Sequence, residues 1–391
     1  MSEDSFTEVT SQSWFGRIGD SFKGIVVGLI MIVGSIFMLF SNEGCSVKRY
    51  KTLKEGAGAV ISVSSDAVEA QNDSKLVHLT GGAETDDVLN DSLFGVSENG
   101  IKLKRVVEMY QWDESESSQK KKKLGGGEET TTTYSYSKTW SEKAIDSSSF
   151  KRPSDHGNPT MQYNTEIFSA SNVTVGAFTL SAGLISKISN FEQLRVTKDT
   201  LPEAMQAQLK EYGGGYYIGS EPSAPAIGDY KISYKVVRPG AVSIVSQQSG
   251  SSFMPYHTKA GGDISLLQIG THSAGSMFEQ AQTENKIMTW VLRGVGFFLM
   301  FAGFGMVLRP LSVLADIVPL FGTIVGAGTS LIAFVLTLVI SFITIAIAWL
   351  FYRPILSICL LVVAGVAVWF AYSKLRKAKI EKATDVEPAS A

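Results

Sequence analysis

Residues 317–352 read IVPLFGTIVGAGTSLIAFVLTLVISFITIAIAWLFY, thirty-six positions without a charge. As one helix this would run about 54 Å, whereas the hydrocarbon core of a bilayer is filled by about 20 residues. Pro319, Gly322, Gly326 and Gly328 crowd its first half. The reading therefore divides it. Residues 309–330 are expected to be an interfacial or re-entrant segment, and residues 331–351 a transmembrane helix. Arg353-Pro354 makes a polar turn. Residues 355–372 then form a last span, antiparallel to the one before it.

Two further apolar blocks lie outward from this stretch. Residues 24–40 are uncharged and meet the lower length limit for a span. The sequence after Phe40, Ser41-Asn42-Glu43-Gly44, lacks the small-residue pattern of a cleavage site, so the block reads as an uncleaved anchor. Residues 290–308 form the second span. Trp290 marks the interface, and Arg293, one turn inside, is expected to reach back to the headgroups. Arg309 and Arg353 are expected to anchor the neighbouring ends. The chain of 391 residues is 45% hydrophobic and only 18% charged, against about 25% for a soluble domain. The charge deficit sits in these blocks, which excludes a wholly soluble, a disordered or a collagen-like chain. A formal net charge of −2 gives no basic field for nucleic acid.

Lys374, Arg376, Lys377, Lys379 and Lys382 crowd the segment after the last span. By the positive-inside rule the tail, residues 373–391, is cytoplasmic. Span parity then makes residues 1–23 a cytoplasmic N-terminal segment and puts residues 41–289 on the far side. That large region holds 25 Lys+Arg and 29 Asp+Glu, and strand signals dominate it. Residues 101–112 and 129–140, the second rich in Thr and Tyr, read as a β-hairpin with a basic tip at Lys120, Lys121, Lys122 and Lys123. Residues 215–218, 230–237, 241–245 and 264–269 read as further strands, and residues 202–211 as a helix with Pro202 at its first position. A helix from about Ser273 has no breaker before Trp290 and is expected to run into the second span. The expected class is an α+β membrane protein: four transmembrane helices plus a large β-rich extracytoplasmic domain between helices 1 and 2.

No catalytic constellation is legible. His78, His156, His257 and His272 are scattered without metal-ligand spacing, and Gly-x-Ser-x-Gly is absent. The two cysteines, Cys45 and Cys359, exclude a disulfide framework and a Cys-based zinc site, because Cys359 lies in an apolar block. No enzyme activity, metal or cofactor is expected. The lysine tip is a candidate contact for anionic lipid or an acidic partner, with Glu128 and Glu129 half neutralising it. Gly294, Gly296, Gly303, Gly305, Gly322, Gly326 and Gly328 are candidate helix-packing positions, since association in lipid depends on close approach. The spans hold no ionisable residue in their cores, which argues against a conducting pore. Thr337, Ser341 and Thr344 nevertheless share one helix face.

Several blocks resemble the transmembrane protein 43 (LUMA) family. They include Asn42-Glu43-Gly44, Val107-Glu108-Met109-Tyr110-Gln111-Trp112, Tyr134-Ser135-Tyr136 with Trp140, and Asn158-Pro159. Ser181-Ala182-Gly183-Leu184-Ile185, Thr289-Trp290 with Leu292-Arg293, and Trp349-Leu350-Phe351-Tyr352-Arg353-Pro354 extend the likeness in order. The tip around Lys120 departs from it. The resemblance implies four spans with the large domain between the first two. It implies residence in the endoplasmic reticulum and inner nuclear membrane in animals, or in the inner membrane with a periplasmic domain in bacteria. It also implies a non-enzymatic scaffold that self-associates and organises membrane protein complexes, with membrane lipids, copies of itself and other membrane proteins as partners and no nucleic acid. The alternatives are an ion-conducting pore or channel accessory subunit, and a membrane-stress or lipid-sensing component.

Overall fold

The computed structural model describes residues 4–201, 206, 209–355, 357 and 358. The last expected span and the basic tail lie almost wholly outside the described residues. Three helices dominate the described residues: α1 (Trp14–Ala59), α3 (Ala274–Ala315) and α4 (Pro319–Tyr352), with a short helical turn, α2 (Ala182–Ile185), between the first two in sequence. Each long helix is long and apolar enough to cross a membrane. The fold is thus α+β, with one long apolar helix near the N-terminus and two near the C-terminus, flanking a β-rich region in the sequence.

The chain divides into two units. The β unit comprises residues 1–12, 51–123 and 127–283. Its larger sheet has eight strands: β1 (Ser5–Gln12), β6 (Lys102–Lys122), β7 (Glu128–Ser141), β8 (Glu166–Ser169), β11 (Glu192–Leu194), β12 (Leu209–Tyr212), β13 (Gly215–Ile218) and β14 (Tyr230–Val237). The main path is β1-β7-β6-β14-β13-β12, with β8 beside β6 and β11 beside β14. The seven-stranded sheet contains β2 (Ile61–Ser62), β3 (Leu76–Glu84), β9 (Thr174–Val175), β10 (Phe178–Thr179), β15 (Gly240–Ser249), β16 (Ser252–Met254) and β19 (Leu266–Ile269). Two small ribbons complete the unit: β4 (Val88–Asp91) with β5 (Val96–Asn99), and β17 (Tyr256–His257) with β18 (Asp263–Ile264).

Alternation explains the strands. In β14 Tyr230, Ile232, Tyr234 and Val236 are buried, while Lys231, Ser233 and Lys235 are only partly so. Their buried side chains join Val77, Leu79, Leu103, Val107, Met109 and Ile244 in one core. Gly213 and Gly214, both at positive φ, form the two-residue turn between Tyr212 and Gly215, a conformation that favours glycine. Leu53 from the end of α1 and Met277, Phe278 and Ala281 from the start of α3 pack on Leu76, Val245 and Ile264 in a second core.

Residues 13–50, 124–126 and 284–391 form the helical unit. Antiparallel packing of α1 on α3 is fixed by glycines. A Cβ on Gly28 would lie 2.6 Å from the Gly303 carbonyl oxygen, and one on Gly303 would lie 2.8 Å from the Gly28 oxygen. Ile32, Leu39 and Met300 fill the interface, with Ile340 of α4 packed against them.

Several expectations need correction. The stretch expected to break at Pro319 is one continuous helix over Pro319–Tyr352. Proline is harmless at a first helical position because its missing N–H has no partner there. The glycines stay helical because two of them accept neighbours: Gly322 abuts Asp316, and Ser312 Oγ stands 3.1 Å from a Cβ on Gly326. Residues 5–12 are a strand of the large sheet, and α1 starts at Trp14, well before residue 24. Residues 209–211, expected as the end of a helix, belong to strand β12, and most of that expected helix lies outside the described residues. The hairpin of β6 and β7 is present, paired from Met109↔Ser141 to Lys122↔Glu128. The helix from Ser273 into the second span is continuous too, as α3.

Candidate functional site: the polar joints of the helical unit

Two buried polar joints tie the helices together. The first centres on Glu43 of α1, which has no exposed surface. Its carboxylate accepts a hydrogen bond from Arg293 Nε of α3 at 2.6 Å and from Trp349 Nε1 of α4 at 2.8 Å, so one acid holds three helices. The Arg293 guanidinium also lies 4.6 Å from the Trp290 ring centroid. One turn on, Asn42 donates to the Thr289 carbonyl at 3.1 Å, Thr289 Oγ1 donates to Ser46 Oγ at 2.8 Å, and Asn285 donates to the Ser46 carbonyl at 3.1 Å. A Cβ on Gly44 would sit 2.6 Å from the Tyr352 ring, so glycine lets α4 approach.

The second joint lies at the other end of α1. Arg17 pairs with Asp316 at 2.5 Å, both nearly inaccessible, and donates to the Gly126 carbonyl at 2.6 Å. Trp14 Nε1 donates to the Val313 carbonyl at 2.9 Å, and Gly125 N–H to the Ile317 carbonyl at 3.1 Å. Gly126, at φ +80°, meets the Trp14 indole, where a side chain would collide. A buried pair of this kind is strongly destabilised by loss of either partner.

The expected site residues are distributed as follows. Arg293 is turned inward onto Glu43 instead of outward to headgroups, because a buried carboxylate is a better partner than the distant surface. Trp290 is exposed, Arg309 is exposed, and Arg353 caps the end of α4 with its N–H on the Trp349 carbonyl at 2.8 Å. Lys120 pairs with Glu128 at 3.5 Å and Lys123 with Glu129, whose acidity Lys123 raises by hydrogen bonding. Lys121 is exposed and Lys122 half-buried. Gly296 packs on Leu39, Gly303 on Gly28 and Ile32, and Gly322 and Gly326 on Asp316 and Ser312. Gly294, Gly305 and Gly328 face open space. Thr337 and Thr344 spend their hydroxyls on their own helix, at Ala333 O and Ile340 O, and Ser341 faces Met300 Sδ. An apolar cavity of about 280 Å³ lies beside them, lined by Leu39, Trp290, Phe297, Leu338 and Phe342.

Glu43, Arg17 and Asp316 were missed as site residues. The available signal was that Glu43 and Asp316 are lone acids flanked by apolar blocks, so each has few basic partners except from another helix. The β unit has its own buried charge knot. Arg105 grips Asp91 with two bonds of 2.7 Å, Tyr234 donates to Asp91 at 2.6 Å, and Arg105 also reaches Glu166 at 2.8 Å. Burial, then the bond to Asp91, pushes the Tyr234 phenol well above its ordinary range. Each histidine is engaged structurally: His78 with Ser62 and the His272 carbonyl, His156 with Asp4 and stacked on Tyr136, His257 with Asp263, and His272 with the Ile269 carbonyl. No group of three potential metal ligands occurs among the described residues.

Three long apolar helices among the described residues, with polar joints buried between them, define a multi-pass integral membrane protein that also carries a β-rich unit. The family model described as Transmembrane protein 43 matches residues 109–354. The chain is 33% identical to Transmembrane protein 43 of Rattus norvegicus over 377 residues, covering 93% of each chain. It is 32% identical to that of Homo sapiens over the same length, and 29% identical to the Transmembrane protein 43 homolog of Drosophila melanogaster over 356 residues, 88% of this chain and 93% of that one. No solved structure matches the chain. The chain belongs to the transmembrane protein 43 family.

Proposed function

We propose that this protein is a non-enzymatic membrane scaffold that self-associates and organises other membrane proteins. The supporting observation is the outward surface of the helical unit. Every strongly polar group of the two joints faces inward, whereas Phe37, Phe298 and Phe351 are each about 70% exposed. Gly305 and Gly328 are exposed, with open space where a Cβ would be. Small residues on outward faces admit another helix backbone closely, and close packing drives association in lipid. A pore through the helices has weaker support, since the Thr337 and Thr344 hydroxyls are used within their own helix. The test is the mass of the particle in mild detergent. A multiple of 42.2 kDa is expected, reduced by Gly305→Leu with Gly328→Leu. A monomeric mass across detergents and concentrations would overturn the reading.

A further inference from the structure

The apolar cavity of about 280 Å³ in the helical unit has two unlike ends. Its back is Leu39 of α1, nearly inaccessible, and its sides are α3 and α4. Trp290, Arg293 and Phe297 line it from one face of α3, at helical spacings of three and four, and Leu338, Phe342 and Ile345 line it from one face of α4. The two helices run antiparallel here: Trp349 bonds to Glu43 beside Arg293, and Ser341 Oγ lies 3.6 Å from Met300 Sδ. The uncharged run 294–308 leads away from Arg293. One end of the cavity is therefore cationic, and the other closes where the Phe297 ring meets the Phe334 ring edge-on at 5.8 Å. Gly294 keeps the space open, since a Cβ there would meet nothing within 4 Å. Trp290 and Phe342, at 68% and 65% exposure, stand at a mouth that opens outward from the helices.

The cationic end has donors to spare. Arg293 uses Nε on Glu43 at 2.6 Å and lies 4.6 Å from the Trp290 ring centroid. A guanidinium is a fork of N–H donors, and those on Nη1 and Nη2 have no acceptor among the described residues. Lys286 stands four residues before Trp290, on the same helix face, exposed and without an ion pair among the described residues. Glu43 offsets one of these two cations, which leaves a positive rim with directional donors inside it.

For a protein in a bilayer, what lies outside such a mouth is lipid. An acyl chain gains little by exchanging lipid neighbours for Leu and Phe, because both are equally apolar. The apolar walls admit a chain but select none, and selection falls to the headgroup. A phosphate offers several acceptor oxygens to the guanidinium fork. A headgroup of net negative charge suits the rim better than a zwitterionic one, whose own cation would face Lys286.

We propose that this cavity is a binding site for an anionic phospholipid, its phosphate on Arg293 Nη1 and Nη2 beside Lys286 and one acyl chain along Phe297, Leu338 and Phe342. The volume holds about nine methylene groups if each takes roughly the 30 Å³ of a water molecule. The site lies within the helical unit of one chain, so the inference goes beyond self-association and does not rest on it.

The test uses the full-length chain in phosphatidylcholine nanodiscs, titrated with dibrominated phosphatidylglycerol or dibrominated phosphatidylcholine. The fluorescence lost in Trp290→Phe defines the Trp290 signal, which bromine in the cavity quenches. A basic side chain near an anionic headgroup is worth about fivefold in affinity. Half-quenching is therefore expected at an anionic mole fraction about five- to twentyfold below the zwitterionic one. Lys286→Gln, at an exposed position, should narrow that preference about fivefold. Gly294→Leu fills the cavity and should abolish the preference while the particle stays monodisperse. Equal quenching by the two lipids in the wild type overturns the proposal, as does a preference unchanged by Lys286→Gln or kept by a folded Gly294→Leu. Quenching by neither lipid also overturns it, because protein then covers the mouth. The readout is independent of particle mass, so its failure leaves the scaffold reading standing.

Discussion

Replacing Glu43 by Leu removes the acceptor that holds three helices. The carboxylate is fully buried, and its two donors are Arg293 Nε at 2.6 Å and Trp349 Nε1 at 2.8 Å. Loss of one partner of a buried pair costs about 3–5 kcal/mol, mostly from the charge left behind. Arg293 is 15% exposed and keeps the Trp290 ring, worth about 0.5–1 kcal/mol, so the lower end, about 3 kcal/mol, is expected. Removing both charges, as Glu43→Leu with Arg293→Leu, leaves no stranded charge and should cost within about 1 kcal/mol of nothing. The double variant is therefore expected to be about 2–3 kcal/mol more stable than Glu43→Leu alone, so that the losses of Glu43→Leu and Arg293→Leu do not add. Reversible unfolding in mixed micelles, followed by tryptophan fluorescence and helical circular dichroism, measures all three. If the two single losses simply add in the double variant, Glu43 and Arg293 do not form the joint described.

Gly28→Leu should abolish the folded yield by driving α1 off α3, whereas Gly305→Ala, with nothing within 4 Å, should leave it unchanged; both are read by monodispersity after extraction. Gly126→Ala forces an L-residue to φ +80° against Trp14 and should cost roughly 1–2 kcal/mol or more in the same unfolding titration. Asp91→Asn weakens the double grip of Arg105 and one acceptor of Tyr234, and should lower β-unit stability by about 3 kcal/mol, measured by thermal loss of strand signal in the full chain. Tyr136 is pushed up to about 12, by burial and then by Glu114, from an ordinary value of 10.0. The folded state thus holds this proton more tightly than the unfolded state. Its contribution is whole below pH 10.0 and is lost as pH rises to about 12. The stability gap between wild type and Tyr136→Phe should therefore shrink over that range; a gap that stays flat or widens counts against the assignment.

The sequence made the apolar helices and the hairpin legible because both rest on local pattern. Residues 24–40 and 331–351 lack charge outright, and Thr and Tyr repeat through residues 129–140. Tyr230–Val237 was readable to the residue from its alternation. What escaped depends on partners far along the chain. Nothing within Ser5–Gln12 announces a strand whose partner begins at Glu128. The breaking power given to Pro319 and the following glycines ignored position, since Pro319 opens the helix and Gly322 faces Asp316. The inward turn of Arg293 was hidden for the same reason: its partner Glu43 is 250 positions away. Four of the seven candidate glycines meet neighbours and three do not, a division set by helix rotation that composition cannot supply.

The pairing of β1 with β7 has a consequence for synthesis. Gln12 waits for Glu128, and Ser5 for Ser135. At about 5–20 residues per second, a ribosome needs roughly 6–26 s to deliver that partner after the first strand has emerged. Throughout that interval α1 is already made and available for insertion, while the eight residues ahead of it present unpaired backbone. The opening strand is thus committed to a membrane side before the strand that will hold it exists. Slowed translation between codons 60 and 128 prolongs that exposure, and a chaperone that shields a short extended N-terminus would find its client there.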